Sequence, residues 1–382
     1  MPINDDVIGL LMDMIRHNTV NPPGNEEPLA LLVATRLHNY EIPCEVIKFG
    51  DRRASFIGVL KGSGLRPALL YNGHLDTVPP GEVAWERDPF VPVIEGDRLY
   101  GRGAADMKSG LAAMVVAAGI LARSGVKLRG DLIICGTAGE EVDGAGAQDL
   151  IARGYLRNVG QIVIGEPSDL KLFTAHKGAF WVEITTFGKT AHGSMPDLGN
   201  NAIRQMNALM NRLANLKFPV NDHPLLGGPT MNIGTIQGGV KTNVVPDRCT
   251  ITVDFRSVPG MDHGMIFDTL KNLLDRLSVE IPGFAAQMRV INDKTHVETP
   301  VNSPLVQAAI RTGQSVLETL LRPQGVNYYT DASVFVPALN VPVILFGPGN
   351  EKLAHQPNEY VEIPKLLKAV DFYVELAKEV LA

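Results

Sequence analysis

The feature that most narrows the fold is an alternation in the first half of the chain. Short runs that are apolar almost throughout are separated by segments with helical spacing. Residues 55–60, 68–71, 131–135 and 161–164 read as strands, the last two apolar enough to be buried on both faces. Helical spacing covers 5–17, 27–37, 109–124 and 147–153. Asn21-Pro22-Pro23-Gly24-Asn25 breaks the first two, and Gly125 and Gly154 close the last two. A strand buried on both faces needs cover on both sides, so the pattern predicts an α/β sheet with helices on both faces.

The texture changes after about residue 177. Residues 180–187 alternate as a strand exposed on one face, 200–216 form a helix, 230–237 and 250–256 strands, 265–277 a helix and 285–291 a strand. The order β-α-β-β-α-β is that of a split βαβ, ferredoxin-like α+β sandwich. A helix at 304–318, a buried strand at 341–346 and a terminal helix at 363–381 return to the first texture. The expected organisation is one catalytic α/β domain in two parts, 1–177 and 292–382, interrupted by an inserted domain at 178–291. One sheet running through the inserted interval would refute this.

Composition excludes several functions. With 35 Lys+Arg against 41 Asp+Glu the formal charge is −6, which offers no attraction to nucleic acid or an anionic membrane. The longest apolar run, 111–122, is interrupted by Gly119 and is shorter than the ~20 residues that span a bilayer. The start, Met1-Pro2-Ile3-Asn4-Asp5-Asp6, lacks a basic segment, and Asp13 interrupts the apolar stretch after it, so no secretory signal is expected. Cys44, Cys135 and Cys249 are odd in number and far apart, and read as buried thiols of a reducing compartment. A cytoplasmic protein is the expectation.

Five acid or imidazole residues, His74, Asp106, Glu141, Glu166 and His355, fall in loops after strand candidates. Open α/β sheets gather ligand sites at the carboxyl ends of their strands. Histidine and carboxylate ligands without cysteine suit zinc, manganese or cobalt. The charges also balance. Three carboxylates against two divalent ions leave one positive charge, which a bridging hydroxide would neutralise, and that hydroxide is the nucleophile of a two-metal hydrolase. His74 and Asp76 are two residues apart in an extended segment and face the same way, so Asp76 could accept a hydrogen bond from the ring and fix its tautomer. The loop from Gly101 to Gly110 lacks a third glycine at the spacing of a phosphate cradle and carries a central acid. Glu140 and Glu141 are neighbours that point apart, so one can ligate and the other can act as general base.

These segments together resemble one family. Gly73-His74-Leu75-Asp76-Thr77-Val78-Pro79, the Gly101–Gly110 loop with Asp106, Thr137-Ala138-Gly139-Glu140-Glu141, Gly165-Glu166-Pro167-Ser168 and Ala354-His355-Gln356-Pro357-Asn358-Glu359 are similar to the metal-site motifs of the M20 metallopeptidases. That family includes acetylornithine deacetylase, succinyl-diaminopimelate desuccinylase, aminoacylase and glutamate carboxypeptidases. The resemblance implies a zinc-peptidase-like catalytic domain with a mixed sheet, an inserted lid that commonly dimerises, and two divalent ions, zinc first, with cobalt or manganese as alternatives. It implies that Asp106 bridges the ions, that His74 and Glu166 complete one site and Glu141 and His355 the other. Glu140 becomes the general base and acid, and Asp76 the support of His74.

The resemblance extends to the lid. Phe187-Gly188-Lys189-Thr190-Ala191-His192-Gly193-Ser194 resembles the motif whose histidine polarises the scissile carbonyl, often from the other subunit of a dimer. Asn243 falls in a segment that resembles a substrate-binding one. Arg256 falls in a strand whose arginine can hold a substrate carboxylate, although it could equally pair with Asp254. Gly347 could offer a backbone N–H to a carboxylate, and Thr330 lies in a segment expected at the pocket. The stretch from Gly325 to Ala332 departs from the Ser-Gly-Gly-Thr-Ser-Asp-like loop of the desuccinylases, which leaves the acyl group open. The expected function is a two-metal amidohydrolase, a deacylase of N-acyl amino acids acting as a homodimer. Its rivals are a dipeptidase or carboxypeptidase of the same family, and a metal-binding relative without catalysis.

Overall fold

The computed structural model describes residues 3–382, which divide into two compact units. The first comprises the chain up to residue 175 together with 298–325 and 330–382, and the second comprises 176–297 and 326–329.

The large sheet has nine strands. Their order is Cys44–Gly50, Arg53–Leu60, Leu132–Thr137, Ala68–His74, Val159–Ile164, Val343–Leu345, Leu172–His176 and Val297–Glu298, with Pro323–Val326 paired to Leu172–His176. The four central strands, Leu132–Thr137, Ala68–His74, Val159–Ile164 and Val343–Leu345, are parallel neighbours. Ala68–His74 and Leu132–Thr137 are buried at every position, the physical counterpart of the apolar runs 68–71 and 132–135 that open them. Helix Lys108–Ser124 packs on Ala68–His74 and on helices Ile3–Arg16 and Ile363–Leu381, while Ala145–Arg153 packs with Ala332–Leu339. A Cβ on Gly110 would lie 1.9 Å from the Gly165 carbonyl oxygen. Only glycine lets the start of this helix sit against the end of strand Val159–Ile164, and that contact brings Asp106 and Glu166 into one neighbourhood.

The second unit holds a four-stranded antiparallel sheet in the order Thr230–Gly238, Arg248–Arg256, Ala179–Phe187, Ala285–Lys294. Its α-helices Ala202–Leu213 and His263–Glu280 start at side-chain caps: Asn201 accepts from the Ile203 and Arg204 amides, and Asp262 from those of Gly264 and Met265. The chain order is β-α-β-β-α-β, and Phe180, Val182, Ile251, Val253, Met206 and Leu270 fill its core.

Several elements differ from the sequence reading. Strand 68–71 continues to His74, because Asn72, Gly73 and His74 stay in register with Cys135, Gly136 and Thr137 although the apolar run has ended. Helix Ala332–Leu339 forms in spite of Pro337 inside it. Val93–Glu95, Arg98–Tyr100 and Tyr360–Glu362 form a small sheet of three-residue strands, too short to display a period. Among the described residues no helix is long and apolar enough to cross a membrane.

Candidate metal centre

The parallel strands end on one side of the sheet, and the acid and imidazole groups follow from there. His74 is the last residue of its strand, not a loop residue as the sequence reading placed it. Glu140 and Glu141 follow Leu132–Thr137, and Glu166 follows Val159–Ile164. His355 lies in the chain after Val343–Leu345, and Asp106 lies two residues before helix Lys108–Ser124. The Asp106 carboxylate faces an imidazole with each oxygen: Oδ1 lies 3.2 Å from His74 Nε2 and Oδ2 lies 3.4 Å from His355 Nε2. His355 Nε2 is also 3.1 Å from Glu141 Oε1. Donor atoms of His74, Glu140 and Glu166 lie within 4.8 Å of one another, as do those of His74, Asp106 and Glu141.

So many acids in one buried place repel one another. Burial and the neighbouring Glu166 push the Glu140 carboxyl well above the usual carboxylate range. Glu166 is pushed up by burial, with Asp106, Glu141 and Asp331 adding to it and His74 opposing. Burial and Asp106 raise Glu141. Burial works against ionised Asp106, yet its hydrogen bonds to His355 and His74 hold it below the carboxylate range. The same bonds, from Asp106 first and Glu141 next, raise His355 to about 10. His74 is raised too, its carboxylate partners overcoming the burial that opposes them. These groups therefore fit divalent cations: a hard oxygen and imidazole donor set whose uncompensated negative charge would be relieved by them.

Asp76 requires a correction. Its Oδ1 is 3.8 Å from His74 Nδ1, and the ring hydrogen-bonds instead to the Asp76 backbone carbonyl at 2.9 Å. The carboxylate serves the next loop: Oδ1 accepts from the Gly139 and Glu140 amides at 2.9 and 3.1 Å, and Oδ2 from the Glu141 amide at 3.3 Å and Asn21 Nδ2 at 2.9 Å. Asp76 thus holds the backbone that presents both glutamates. Gly347 is also not as expected, since its N–H donates to Ser168 Oγ at 2.9 Å and is not free for a substrate. Thr330 is buried, and its Oγ1 accepts from the Ala332 amide at the start of helix Ala332–Leu339.

His192, Asn243 and Arg256 belong to the second unit. His192 Nδ1 lies 2.8 Å from Ser194 Oγ, and the Gly193 amide donates to the Asn243 carbonyl, so the two segments adjoin. Arg256 Nε pairs with Asp254 Oδ2 at 3.0 Å, the structural alternative left open by the sequence.

Two acids went without a role in the sequence reading. Asp331 accepts from Thr137 Oγ1 at 2.5 Å and adds its charge to Glu140 and Glu166. Glu359 is wholly buried against the loop that carries Asp106. The sequence cue to Glu359 is its place as the last residue of the Ala354–Glu359 segment, four residues after His355.

The chain is similar to known proteins over most of its length. The model of peptidase family M20/M25/M40 matches residues 70–379. A probable succinyl-diaminopimelate desuccinylase of Staphylococcus aureus (strain MRSA252) is 31% identical over 401 aligned positions, covering 96% of each chain. The acetylornithine deacetylase of Myxococcus xanthus is 32% identical over 351, covering 89% of each. Among solved structures, an M20 family metallo-carboxypeptidase from Sulfolobus solfataricus superposes with a TM-score of 0.81 at 22% identity, over 98% of this chain and 99% of that one, a likeness of fold.

Proposed function

The chain belongs to peptidase family M20/M25/M40 and is a hydrolase acting on amide bonds, and from that premise we propose a two-metal deacylase that removes the acyl group from an N-acyl amino acid. The observation that carries this reading is the Asp106 carboxylate with one oxygen toward each of two imidazoles, His74 and His355. Asp106 would be shared between two divalent ions, zinc first, with Glu166 and His74 on one side and Glu141 and His355 on the other. When bound, such ions polarise a carbonyl and make water acidic enough to ionise near neutral pH.

The chain's own groups would do the rest. Glu140, buried beside the His74 and Glu166 donors, would take a proton from the attacking water and return it to the leaving amine. Asp76 would hold the Glu140–Glu141 backbone while this happens. His192 would donate to the developing oxyanion, from its own or a partner subunit. Asn243 and Arg256 would contact the substrate's amino-acid portion. We place the protein in the cytoplasm as a homodimer joined through the 178–291 domain, with neither nucleic acid nor membrane as partner. The relatives at 31% and 32% identity bear deacylase names, which favours an acyl amino acid over a dipeptide.

Glu140→Gln is the test. As general base, Glu140 can be lost with both metals retained, and kcat falls about 10²–10⁴-fold on N-acetyl, N-succinyl or N-carbamoyl amino acids. Near-normal turnover with two metals bound would remove the assignment. Loss of one metal equivalent would make Glu140 a ligand instead. Cleavage of dipeptides but not of acyl amino acids would move the protein to the peptidase reading.

A further inference from the structure

Glu359, like Asp76, is a heavily engaged acid outside the proposed ligand set. It is completely buried, and four donors converge on its carboxylate. Oε1 accepts from the Ala105 amide at 2.7 Å and the Asp106 amide at 2.9 Å. Oε2 accepts from the Gly103 amide at 3.1 Å and from Arg102 Nη1 at 2.5 Å. Its backbone carbonyl accepts from the Gly101 amide at 3.0 Å. Arg102 is itself buried, with its Nη2 on the Pro79 carbonyl at 3.2 Å and its Nη1 also 3.4 Å from the Gln356 carbonyl.

A carboxylate taken wholly out of water is expensive, and one ion pair rarely offsets that cost. If charge neutralisation were its only task, an apolar pair of similar volume would serve as well. The arrangement makes sense through the backbone amides. Residues 103–106 form no strand or regular helix, so their N–H groups have no repeating partner and need an acceptor. Glu359 supplies one acceptor for three of them at once, ending at the amide of Asp106. The same residue lies four positions after His355. One side chain thus ties the loop that presents Asp106 to the loop that presents His355.

We propose that Glu359 is a positioning residue of the metal centre, fixing Asp106 and His355 relative to each other before any metal arrives. The inference rests on the two-metal reading and extends it. Without Glu359 the loop keeps its residues but loses the template that aims the Asp106 carboxylate at both imidazoles. The ion shared through Asp106 and His355 then binds less tightly than the one that His74 and Glu166 help to hold.

The experiment titrates metal-free protein with Co²⁺ and follows the visible absorption, with circular dichroism and thermal melting alongside. Wild type binding two equivalents upholds the two-metal reading; fewer than two overturns that reading whatever Glu359 does. Given two in wild type, Glu359→Gln is expected to fold, to take up its first equivalent nearly as wild type does, and to bind its second about 10–100-fold more weakly with an altered spectrum. Arg102→Lys keeps the three amide contacts; it is expected to melt earlier while its Co²⁺ titration stays that of wild type. Should the Gln variant fail to fold, Glu359→Asp decides, because it keeps the charge beside Arg102 but draws the carboxylate back from the amides. Wild-type affinity and spectrum for the second equivalent in a folded Glu359 variant would overturn the proposal. So would an Arg102→Lys variant that lost the second metal while Glu359→Gln kept it.

Discussion

The role of Asp76 can be separated sharply from the one its spacing suggests. Asp76→Asn keeps the shape but replaces one carboxylate oxygen with an NH₂ group. In the wild type each oxygen receives two donors: the Gly139 and Glu140 amides on Oδ1, and the Glu141 amide and Asn21 Nδ2 on Oδ2. Whichever way the new amide turns, two donors meet an N–H instead of an acceptor. Hydrogen bonds to a charged group contribute about 1.5–3 kcal/mol each, so losing two should cost roughly 3–6 kcal/mol. Asp76 is fully buried, so water does not take their place. Against a typical total of about 5–15 kcal/mol, the variant should fold but sit near the margin.

Urea unfolding of the metal-free protein measures this. With a slope near 3 kcal/mol/M, the midpoint of the first unit's transition should drop by about 1–2 M while the slope is unchanged. A stability within about 0.5 kcal/mol of wild type would refute the reasoning, since that is the range of a substitution touching nothing important. An unchanged midpoint together with weakened metal binding would point back to the ring of His74 as the partner of Asp76. The 3.8 Å separation between them argues for the first outcome.

Two further outcomes are expected. His355 is raised to about 10 in the folded metal-free protein, against about 6.5 when unfolded, so its pairing with Asp106 and Glu141 stabilises fully below about pH 6.5 and is lost as pH rises through about 10. The gap in urea midpoint between metal-free wild type and His355→Gln should therefore shrink from pH 6.5 to 10; a gap that widens would contradict the pairing. Gly110→Ala drives a methyl group onto the Gly165 carbonyl and should cost at least about 1–3 kcal/mol, read as a lower thermal midpoint. A melting temperature equal to wild type would mean the helix and strand do not meet as described.

How much the sequence could disclose depends on which forces are local. The strands around Leu70 and Ile134 announce themselves because burial on both faces demands apolar residues at every position. Ligand types at strand ends then follow from topology. The polar tail Asn72-Gly73-His74 could not be read as strand, since what keeps it extended is register with Cys135–Thr137, a neighbour some 60 residues away in sequence. Strand alternation does not carry over to Asp76. It assumes a strand continuing past His74, whereas the strand stops there, and the backbone carbonyl rather than the carboxylate meets the ring.

The acids around His74 show why a site can break the rules that make a fold legible. Asp106, Glu140, Glu141 and Glu166 bring four carboxylates together against two imidazoles, in a place where burial opposes ionisation of all four and, with the neighbouring acids, holds three of them above the carboxylate range. Selection for stability alone would replace such a cluster with apolar side chains. Its presence beside buried supports such as Asp76 and Glu359, each accepting several backbone amides, calls for charge compensation beyond the two imidazoles. Protons can supply part of that compensation, as the raised carboxyl groups indicate. They would not, however, explain why one carboxylate faces two imidazoles with separate oxygens. Cations on either side of Asp106 would explain both.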